Sequence, residues 1–341
     1  MRTLLPMLAF ACTSSKPGTT TAQDTGFDPG PSPYTLDDTL RLTDVQALGT
    51  HNSTHIQPDE PIHPSHYYTQ PALTDQLEGS GVRAMELDIH LHTELGFQVF
   101  HLPVVDPETR CLQLADCLRE LKRWSNQNPW HMPLMIWMEP KDEDLDLAIE
   151  EYDVFIDKHD AWEAAVLDVI PRHRIFTPDD LRGTHNTLPE AIAADGWPTL
   201  GELRGKIIFS MLDSGDHRAT YLTGAPALEG RLFFVDSDDP SDPFAATFKV
   251  NNAAEDAERV GTLAQAGFLI SSNVHDGPEH EQADGEAHFA ASLAAGAHFL
   301  KSDRVTETDG WSTAIPDGNP ARCNPITAPE VCTAEEVEAL P

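Results

Sequence analysis

Short apolar runs recur along the chain, and each ends in polar or charged residues. They lie at 45–50, 84–90, 97–101, 134–139, 206–212, 231–236, 267–271 and 297–302. Runs of this length predict buried strands. The intervening amphipathic stretches predict helices, at 112–126, 144–169, 253–266 and 286–295. Eight apolar strands alternating with helices predict an α/β fold, a (β/α)8 TIM-type barrel, made irregular by several short connections.

The N-terminal residues differ in composition from the rest of the chain. Residues 1–12 contain one basic residue, a short apolar run and small residues before Cys12, which is typical of an export signal. Residues 13–33 are rich in Ser, Thr, Gly, Pro and Asp and predict a flexible tether. We expect residues 34–341 to form a single barrel domain. The protein is expected to be exported, either lipid-anchored to the cell envelope through Cys12 or secreted.

The charge balance limits the possible partners. The 341 residues include 22 basic and 56 acidic side chains, which gives a formal net charge of −34. This excess argues against nucleic acid and against electrostatic capture by anionic lipid surfaces. No later apolar run is long enough to cross a bilayer, so membrane contact is expected to be transient or through a lipid anchor. We expect a monomer.

The cysteines form two close pairs. Apart from Cys12, the chain contains Cys111 and Cys117, and Cys323 and Cys332. Close pairs in an exported chain favour two local disulfides. A zinc site is a weaker interpretation, because no C-x-x-C spacing occurs.

Polar residues with catalytic potential lie at the carboxyl ends of the first four predicted strands. They are His51, Asn52, Glu86, Asp88, His101 and Glu139. In a parallel barrel these ends converge on one mouth. Glu86 and Asp88 are two residues apart, so they lie on the same face of the strand, and the alternating apolar residues predict that this face is the barrel interior.

Three carboxylates at one mouth would repel one another unless a cation or shared protons offset their charge. Asn52, Glu86, Asp88 and Glu139 offer hard oxygen donors and no sulfur, which favours Ca²⁺, with Mg²⁺ as the runner-up. His51 and His101 remain available for acid–base chemistry. His51 could hydrogen-bond a phosphoryl oxygen, and His101 could protonate a leaving group.

These motifs together resemble a known enzyme family, the X-region catalytic barrel of phosphoinositide-specific phospholipase C, in its bacterial calcium-dependent branch. The resemblance covers about residues 43–303 and is carried by His51-Asn52-Ser53, Glu86-Leu87-Asp88, His101-Leu102-Pro103-Val104-Val105-Asp106 and Glu139-Pro140-Lys141.

In that family the inositol 2-hydroxyl attacks the neighbouring phosphodiester and releases diacylglycerol and a cyclic inositol phosphate. The resemblance implies a phospholipid or inositol phosphodiester substrate, and His51 and His101 as the catalytic pair. It also implies that Asn52, Glu86, Asp88 and Glu139 bind calcium, with Glu86 or Glu139 doubling as general base. Lys141 is expected to contact the substrate's phosphate or ring hydroxyls, and otherwise is an exposed lysine.

One stretch departs from the family pattern. Residues 271–276, after the seventh predicted strand, contain no Arg, Lys or Tyr to hold the inositol head group. The other histidines are given no role. His55, His63 and His66 lie in a Pro-rich loop that is expected only to cap the mouth, and for His90, which shares a face with Asp88, a place behind the metal ligands is the weaker interpretation.

Two other functions remain open. A glycerophosphodiester phosphodiesterase or a phospholipase D-like barrel would share the two histidines and the E-x-D pair, but usually carries His-Arg where this chain has His51-Asn52. A non-catalytic surface lipoprotein that binds polyols or calcium would not need both histidines.

Overall fold

The computed structural model describes residues 30–142, 151–275, 282–307, 311–315 and 320–339. Within them the strands are β1 (Val45–Thr50), β2 (Ala84–His92), β3 (Gly96–Val99), β4 (Leu134–Pro140), β5 (Tyr152–Asp153), β6 (Ile207–Met211), β7 (Phe234–Val235), β8 (Thr247–Lys249), β9 (Leu269–His275), β10 (Phe299–Ser302) and β11 (Ala321–Cys323). The helices are α1 (Leu73–Glu78), α2 (Leu114–Gln127), α3 (His159–Leu167), α4 (Pro178–Arg182), α5 (Leu188–Ala194), α6 (Leu200–Leu203), α7 (Asp216–Tyr221), α8 (Ala257–Gln265), α9 (Gln282–Ala295) and α10 (Ala334–Val337).

Eight of these strands form a nearly closed parallel barrel, which confirms the predicted fold class. Their order is β7, β6, β4, β2, β1, β10, β9, β8. A parallel bridge between Asp236, just after β7, and Thr247, the first residue of β8, nearly closes the ring. The carboxyl ends of the eight strands therefore meet at one mouth.

The barrel does not use all of the predicted strands. The run at 97–101 was predicted as a barrel strand, but β3 pairs antiparallel with β2 and forms a hairpin. The missing barrel strand is β8, which was not predicted because it has only three residues and ends in Lys249. An apolar run indicates burial but does not specify which strand will be its partner.

The two halves of strand β2 pair with different strands. Its residues Ala84 to Ile89 pair with β4 in the barrel, and Ile89 to His92 pair with β3 in the hairpin. The end of β2 also pairs with β5. The second half of β2 thus extends beyond the barrel as part of a small antiparallel sheet.

Three of the predicted helices are confirmed within a few residues by α2, α8 and α9. The helix predicted at 144–169 was wrong over its centre, because Tyr152 and Asp153 form β5 and the helix α3 begins only at His159. The first part of that prediction and the predicted export signal lie outside the described residues. Residues Ser32–Pro341 form one compact unit.

Both predicted disulfides are present. Cys111 is bonded to Cys117, and Cys323 is bonded to Cys332. Such bonds persist in oxidising compartments, which agrees with the predicted export. No helix in the described part of the chain has the length and apolar character to cross a membrane.

A buried histidine connects β9, β10 and the segment before β1. His298 is fully buried; its Nδ1 accepts a hydrogen bond from the Ile270 amide at 3.1 Å, and its Nε2 lies 3.1 Å from the Thr43 carbonyl oxygen. This arrangement requires the neutral ring with its proton on Nε2. Burial lowers the pKa of His298 to about 4.

We expect His298 to make the fold sensitive to mild acid. Its pKa is about 4 when folded and 6.5 in a model peptide, so its stabilising effect is fully present above pH 6.5 and is lost as the pH falls through 4. The loss amounts to about 3 kcal/mol in the free energy of unfolding. Urea unfolding of the protein and of His298→Gln across this pH range would measure it. Parallel stability curves for the two proteins would contradict the prediction.

Candidate active site

Three carboxylates meet at the mouth, as the sequence predicted. Asp88 on β2 is the cross-strand neighbour of Glu139 on β4, and Glu86 precedes Asp88 by two residues on the same strand face. One oxygen from each of the three carboxylates lies within 4.8 Å of the others. Glu86 and Asp88 are almost completely buried, at 0% and 2% exposure.

This cluster fits a divalent cation. Among the described residues, the buried atoms Glu86 Oε1 and Asp88 Oδ1 have no hydrogen-bond partner. A buried carboxylate oxygen without a hydrogen bond is costly, and a hard cation would compensate for it. The donor set is composed of oxygen, which suits calcium better than a transition metal.

Asn52 is held beside Glu86 by its neighbour in the chain. The Ser53 amide donates to the Glu86 carbonyl oxygen at 2.8 Å, and Ser53 Oγ accepts from the Glu86 amide at 2.8 Å. Asn52 is buried and adopts a positive φ of 40°, a conformation that Asn tolerates better than most residues. The turn after β1 therefore continues the contact between β1 and β2, and the side chain of Asn52 shares a hydrogen bond with the buried Tyr68.

Three lysines surround the carboxylates. Lys141 Nζ lies 2.9 Å from Glu139 Oε1 and 3.4 Å from Asp88 Oδ1. Lys249 Nζ lies 3.8 Å from Glu86 Oε1 and 3.9 Å from Glu139 Oε2. Lys301 is completely buried and donates a hydrogen bond to Glu86 Oε2. The side chain of Lys141 is only 12% exposed, so the alternative of an exposed surface lysine was wrong.

Lys301 reaches Glu86 across the strand that separates them. It lies on β10 opposite Gly49 of β1, and β1 is the neighbour of β2. A Cβ atom at position 49 would lie 3.0 Å from Lys301 Cγ and 3.0 Å from Ala84 Cβ. Glycine at this position therefore provides the space through which the lysine passes.

The surrounding charges affect the two buried acids differently. Burial opposes ionisation of Glu86, but Lys301, Lys249 and His51 together hold its pKa well below the usual range. Burial raises the pKa of Asp88. The negative charge of Glu139 adds to this effect, and the positive charge of Lys141 only partly offsets it. The two buried acids of β2 are thus shifted in opposite directions, Glu86 toward its charged form and Asp88 toward its protonated form.

The first predicted catalytic histidine forms a pair with a buried aspartate. His51 Nδ1 lies 3.1 Å from Asp303 Oδ1, and the side chain of His51 is 27% exposed at the mouth. Burial disfavours the charged ring, but Asp303 and Glu86 outweigh burial and raise the pKa of His51 to about 9. His51 is therefore a cation at neutral pH and can donate a hydrogen bond.

The second predicted catalytic histidine also has an aspartate partner. His101 Nδ1 lies 2.6 Å from Asp106 Oδ2, and His55 Nε2 contacts the same carboxylate at 2.9 and 3.0 Å. Burial opposes ionisation of Asp106, but these hydrogen bonds lower its pKa to about 2. Leu102 and Asp106 close the short loop by a backbone bridge, with Val104 at a φ of 68°.

The backbone of His101 is supported from the hairpin. His90 Nε2 lies 3.1 Å from the Phe100 carbonyl oxygen and 3.2 Å from that of His101. Burial lowers the pKa of His90 to about 4, so it stays neutral. His90 therefore positions the loop that carries His101.

A polar cavity opens beside the carboxylates. Its volume is about 510 Å³, and its lining includes Glu139, Lys141, Asp142, Asp213 and His217. This volume lies within the range of small-molecule sites. A cyclic polyol bound here would have carboxylates and a lysine within reach of its hydroxyl groups.

The structure therefore brings the predicted residues together at one mouth, and it adds five that the sequence analysis did not assign. These are Asp106, Lys249, Asp303, Lys301 and His55 as a partner of Asp106. A signal was available for Asp303, which directly follows the last predicted strand. Lys301 lies inside an apolar run, where a fully buried lysine indicates a buried ion-pair partner.

The chain matches a known protein family and several solved structures. Residues 90–325 match the family described as phosphoinositide phospholipase C, Ca²⁺-dependent. The fold resembles a Ca²⁺-dependent phosphatidylinositol-specific phospholipase C from Streptomyces antibioticus, with a TM-score of 0.56, 19% identity, and 77% of this chain and 95% of that chain covered. It also resembles a calcium-dependent phosphoinositol-specific phospholipase C from Pseudomonas sp., with a TM-score of 0.57, 15% identity, and 84% and 96% coverage. No curated protein sequence matched.

Proposed function

Since the chain belongs to the Ca²⁺-dependent phosphoinositide phospholipase C family and is a phosphodiesterase of that type, we propose that it cleaves phosphatidylinositol-type lipids to diacylglycerol and a cyclic inositol phosphate. The observation that carries this proposal is the grouping at one barrel mouth of a buried carboxylate cluster and two histidine–aspartate pairs. This combination provides a cation site and two proton carriers, which the reaction requires.

The proposed calcium ligands are Asn52, Glu86, Asp88 and Glu139. When bound, calcium lowers the pKa of the attacking hydroxyl and offsets negative charge on the phosphorane. Magnesium gains no support, because the family that matches is described as calcium-dependent.

The protein groups divide the proton transfers between them. Glu139 accepts the proton of the inositol 2-hydroxyl, because its side chain is 29% exposed and lines the cavity, whereas Glu86 is fully buried against Lys301. The hydroxyl oxygen then bonds to phosphorus while the bond to the diacylglycerol oxygen breaks. His51, charged through its pair with Asp303, donates a hydrogen bond to a phosphoryl oxygen. His101 transfers its proton to the leaving oxygen, and Asp106 holds the ring in place.

The cavity beside Glu139 is proposed to hold the head group. Lys141 lines it and is anchored by Glu139 and Asp88, so its ammonium is positioned to contact a phosphate or ring hydroxyl. Residues 271–276 offer no Arg, Lys or Tyr, but Lys249 on β8, whose side chain is 21% exposed, supplies positive charge from a neighbouring strand.

An exposed apolar patch is proposed to contact the lipid surface. Ile62 and Val104 are 69% and 74% exposed, line one shared cavity, and Val104 lies in the loop between His101 and Asp106. Tyr67, in the same loop region as Ile62, is 47% exposed. Because the chain is strongly acidic, insertion of apolar side chains accounts for membrane contact better than charge attraction does.

The test is product analysis with controlled metal. The purified protein is incubated with phosphatidylinositol micelles, and phosphorus NMR follows the products with calcium, with magnesium and with chelator. We expect a cyclic inositol phosphate signal that requires calcium and is lost in Asp88→Asn. Asp116→Asn, which removes an exposed carboxylate of α2, serves as the matched control and is expected to retain activity.

Three outcomes would contradict the proposal. Turnover that persists in chelator would exclude the calcium site. Cleavage of glycerophosphodiesters without cleavage of inositol lipid would indicate the related phosphodiesterase barrel. Calcium binding without any turnover would indicate a binding protein.

A further inference from the structure

A second group of metal-binding side chains lies next to the carboxylate cluster. His66, His101 and Asp106 each offer one ligand atom, and these atoms lie within 4.8 Å of one another. Asp106 Oδ2 is their common point, because it lies 2.6 Å from His101 Nδ1 and 3.8 Å from His66 Nδ1. The rings of His66 and His101 meet edge to face, with centroids 5.5 Å apart.

In the part of the chain that the structure describes, His66 is buried with one ring nitrogen unsatisfied. The residue is 5% exposed, and among the described residues its Nδ1 has no hydrogen-bond partner. A buried imidazole nitrogen that faces a carboxylate without a hydrogen bond requires an explanation, and a metal ion between the two atoms would satisfy both.

Asp106 is pre-oriented for such a ligand. It is fully buried, and His55 Nε2 holds it with contacts of 2.9 Å to Oδ1 and 3.0 Å to Oδ2. Supporting contacts of this kind fix the direction of a ligating carboxylate. The tight loop between Leu102 and Asp106 fixes the backbone on the same side.

We propose that His66, His101 and Asp106 form a binding site for a transition-metal ion of the zinc type, distinct from the carboxylate site. Two imidazoles and one carboxylate with an open fourth position match the ligand preferences of Zn²⁺, whereas Ca²⁺ prefers oxygen donors alone. The metal takes the place of the proton between His101 Nδ1 and Asp106 Oδ2. That proton is released, and the two atoms separate from 2.6 Å to roughly 3.3 Å, as expected for two ligands of one tetrahedral zinc.

Occupancy of this site would switch off the enzyme. With the metal on Nδ1, His101 keeps only its Nε2 proton and cannot form the doubly protonated ring. It is then too weak an acid to protonate the leaving oxygen, and it cannot rotate. This consequence rests on the proposed function, but the binding of the metal does not. The site therefore makes the protein a zinc-inhibited enzyme in which inhibition does not compete with calcium.

Binding is tested without reference to activity. Zinc is titrated calorimetrically into the protein in saturating calcium, and Co²⁺ is used as a probe whose visible spectrum reports tetrahedral coordination. We expect one zinc per chain and a tetrahedral Co²⁺ spectrum. Both His66→Gln and His66→Asn should weaken binding by at least about tenfold, because even loss of an outer-shell partner has that effect. The control His185→Gln alters a more exposed histidine–aspartate pair and should bind normally.

Activity provides the second readout. Without zinc, His66→Gln should hydrolyse phosphatidylinositol as the unaltered protein does. It should also stay active at zinc concentrations that inhibit the unaltered protein.

Zinc binding that is unchanged in both His66 variants, or that saturating calcium abolishes, would overturn the proposal. Zinc-soaked crystals of the unaltered protein need no variant: an anomalous peak bonded to His66 and Asp106 supports the site, and peaks elsewhere alone exclude it. Normal zinc binding with no hydrolysis would refute the proposed function and leave the metal site standing.

Discussion

Replacement of His101 by glutamine is expected to lower turnover of phosphatidylinositol by about 10²- to 10⁴-fold, the usual contribution of a general acid. The loss should depend on the leaving group. His101, held by Asp106 at 2.6 Å, supplies the proton for a poor leaving group, the diacylglycerol alkoxide. A nitrophenyl ester of inositol phosphate leaves without protonation, so His101→Gln should hydrolyse it to within about tenfold of the unaltered protein.

His51→Gln provides the contrast. His51 is paired with Asp303 and acts on the phosphoryl oxygen, which carries the same charge with either leaving group. We therefore expect this variant to lose activity similarly on both substrates, measured as kcat/KM by a chromogenic assay and by phosphorus NMR. His185→Gln, at the other His-Asn sequence of the chain, is the matched control. Equal losses on both substrates for His101→Gln would contradict its assignment as the acid.

Replacement of Lys301 by methionine is expected to destabilise the metal-free protein by about 3–5 kcal/mol, because it leaves the buried Glu86 without its counter-ion. Lys301 is completely buried and donates to Glu86 Oε2, and Lys249 is the other lysine near Glu86, at 3.8 Å. Calcium should restore much of the loss, since a bound ligand stabilises the fold by about 2.7 kcal/mol at 100 times its Kd. Loss of a positive charge from the cluster should also tighten calcium binding, by at least about tenfold.

Thermal unfolding with calcium and with chelator measures this effect. The informative quantity is the shift in Tm on adding calcium, which should be larger for Lys301→Met than for the unaltered protein. Lys249→Met is the matched control. Its side chain is 21% exposed and its ammonium is more distant from the carboxylates, so its removal should have a smaller effect. An equal calcium shift in all three proteins would indicate that Glu86 is not a calcium ligand.

The parts of the site that could be predicted from the sequence are those in which one local pattern indicates both the strand and the face on which its side chains lie. Glu86 and Asp88 alternate with Met85, Leu87 and Ile89, so one pattern gives both the strand and the face that carries the acids. The structure confirms that Glu86, Asp88 and Glu139 meet, because parallel neighbours end at the same mouth.

The missed parts depend on contacts between distant segments. Lys301 joins Glu86 across 215 residues, and Asp303 joins His51 across 252 residues. Nothing in the local pattern around either residue specifies its partner. The run at 97–101 shows the same limit. Its apolar residues correctly predict a buried strand, but they do not indicate that this strand pairs antiparallel with β2 instead of joining the barrel.

The double pairing of β2 has a further consequence for how activity responds to local opening. The calcium ligands Glu86 and Asp88 lie in the half that is bonded into the barrel, whereas His90 and the segment leading to His101 depend on the hairpin half. A small sheet at an edge opens at lower free energy than the barrel to which it is attached. Warming would therefore release the proton donor before it releases the metal ligands. Between those two temperatures the protein would be a calcium-binding barrel that no longer turns over substrate, and it would recover on cooling without having unfolded.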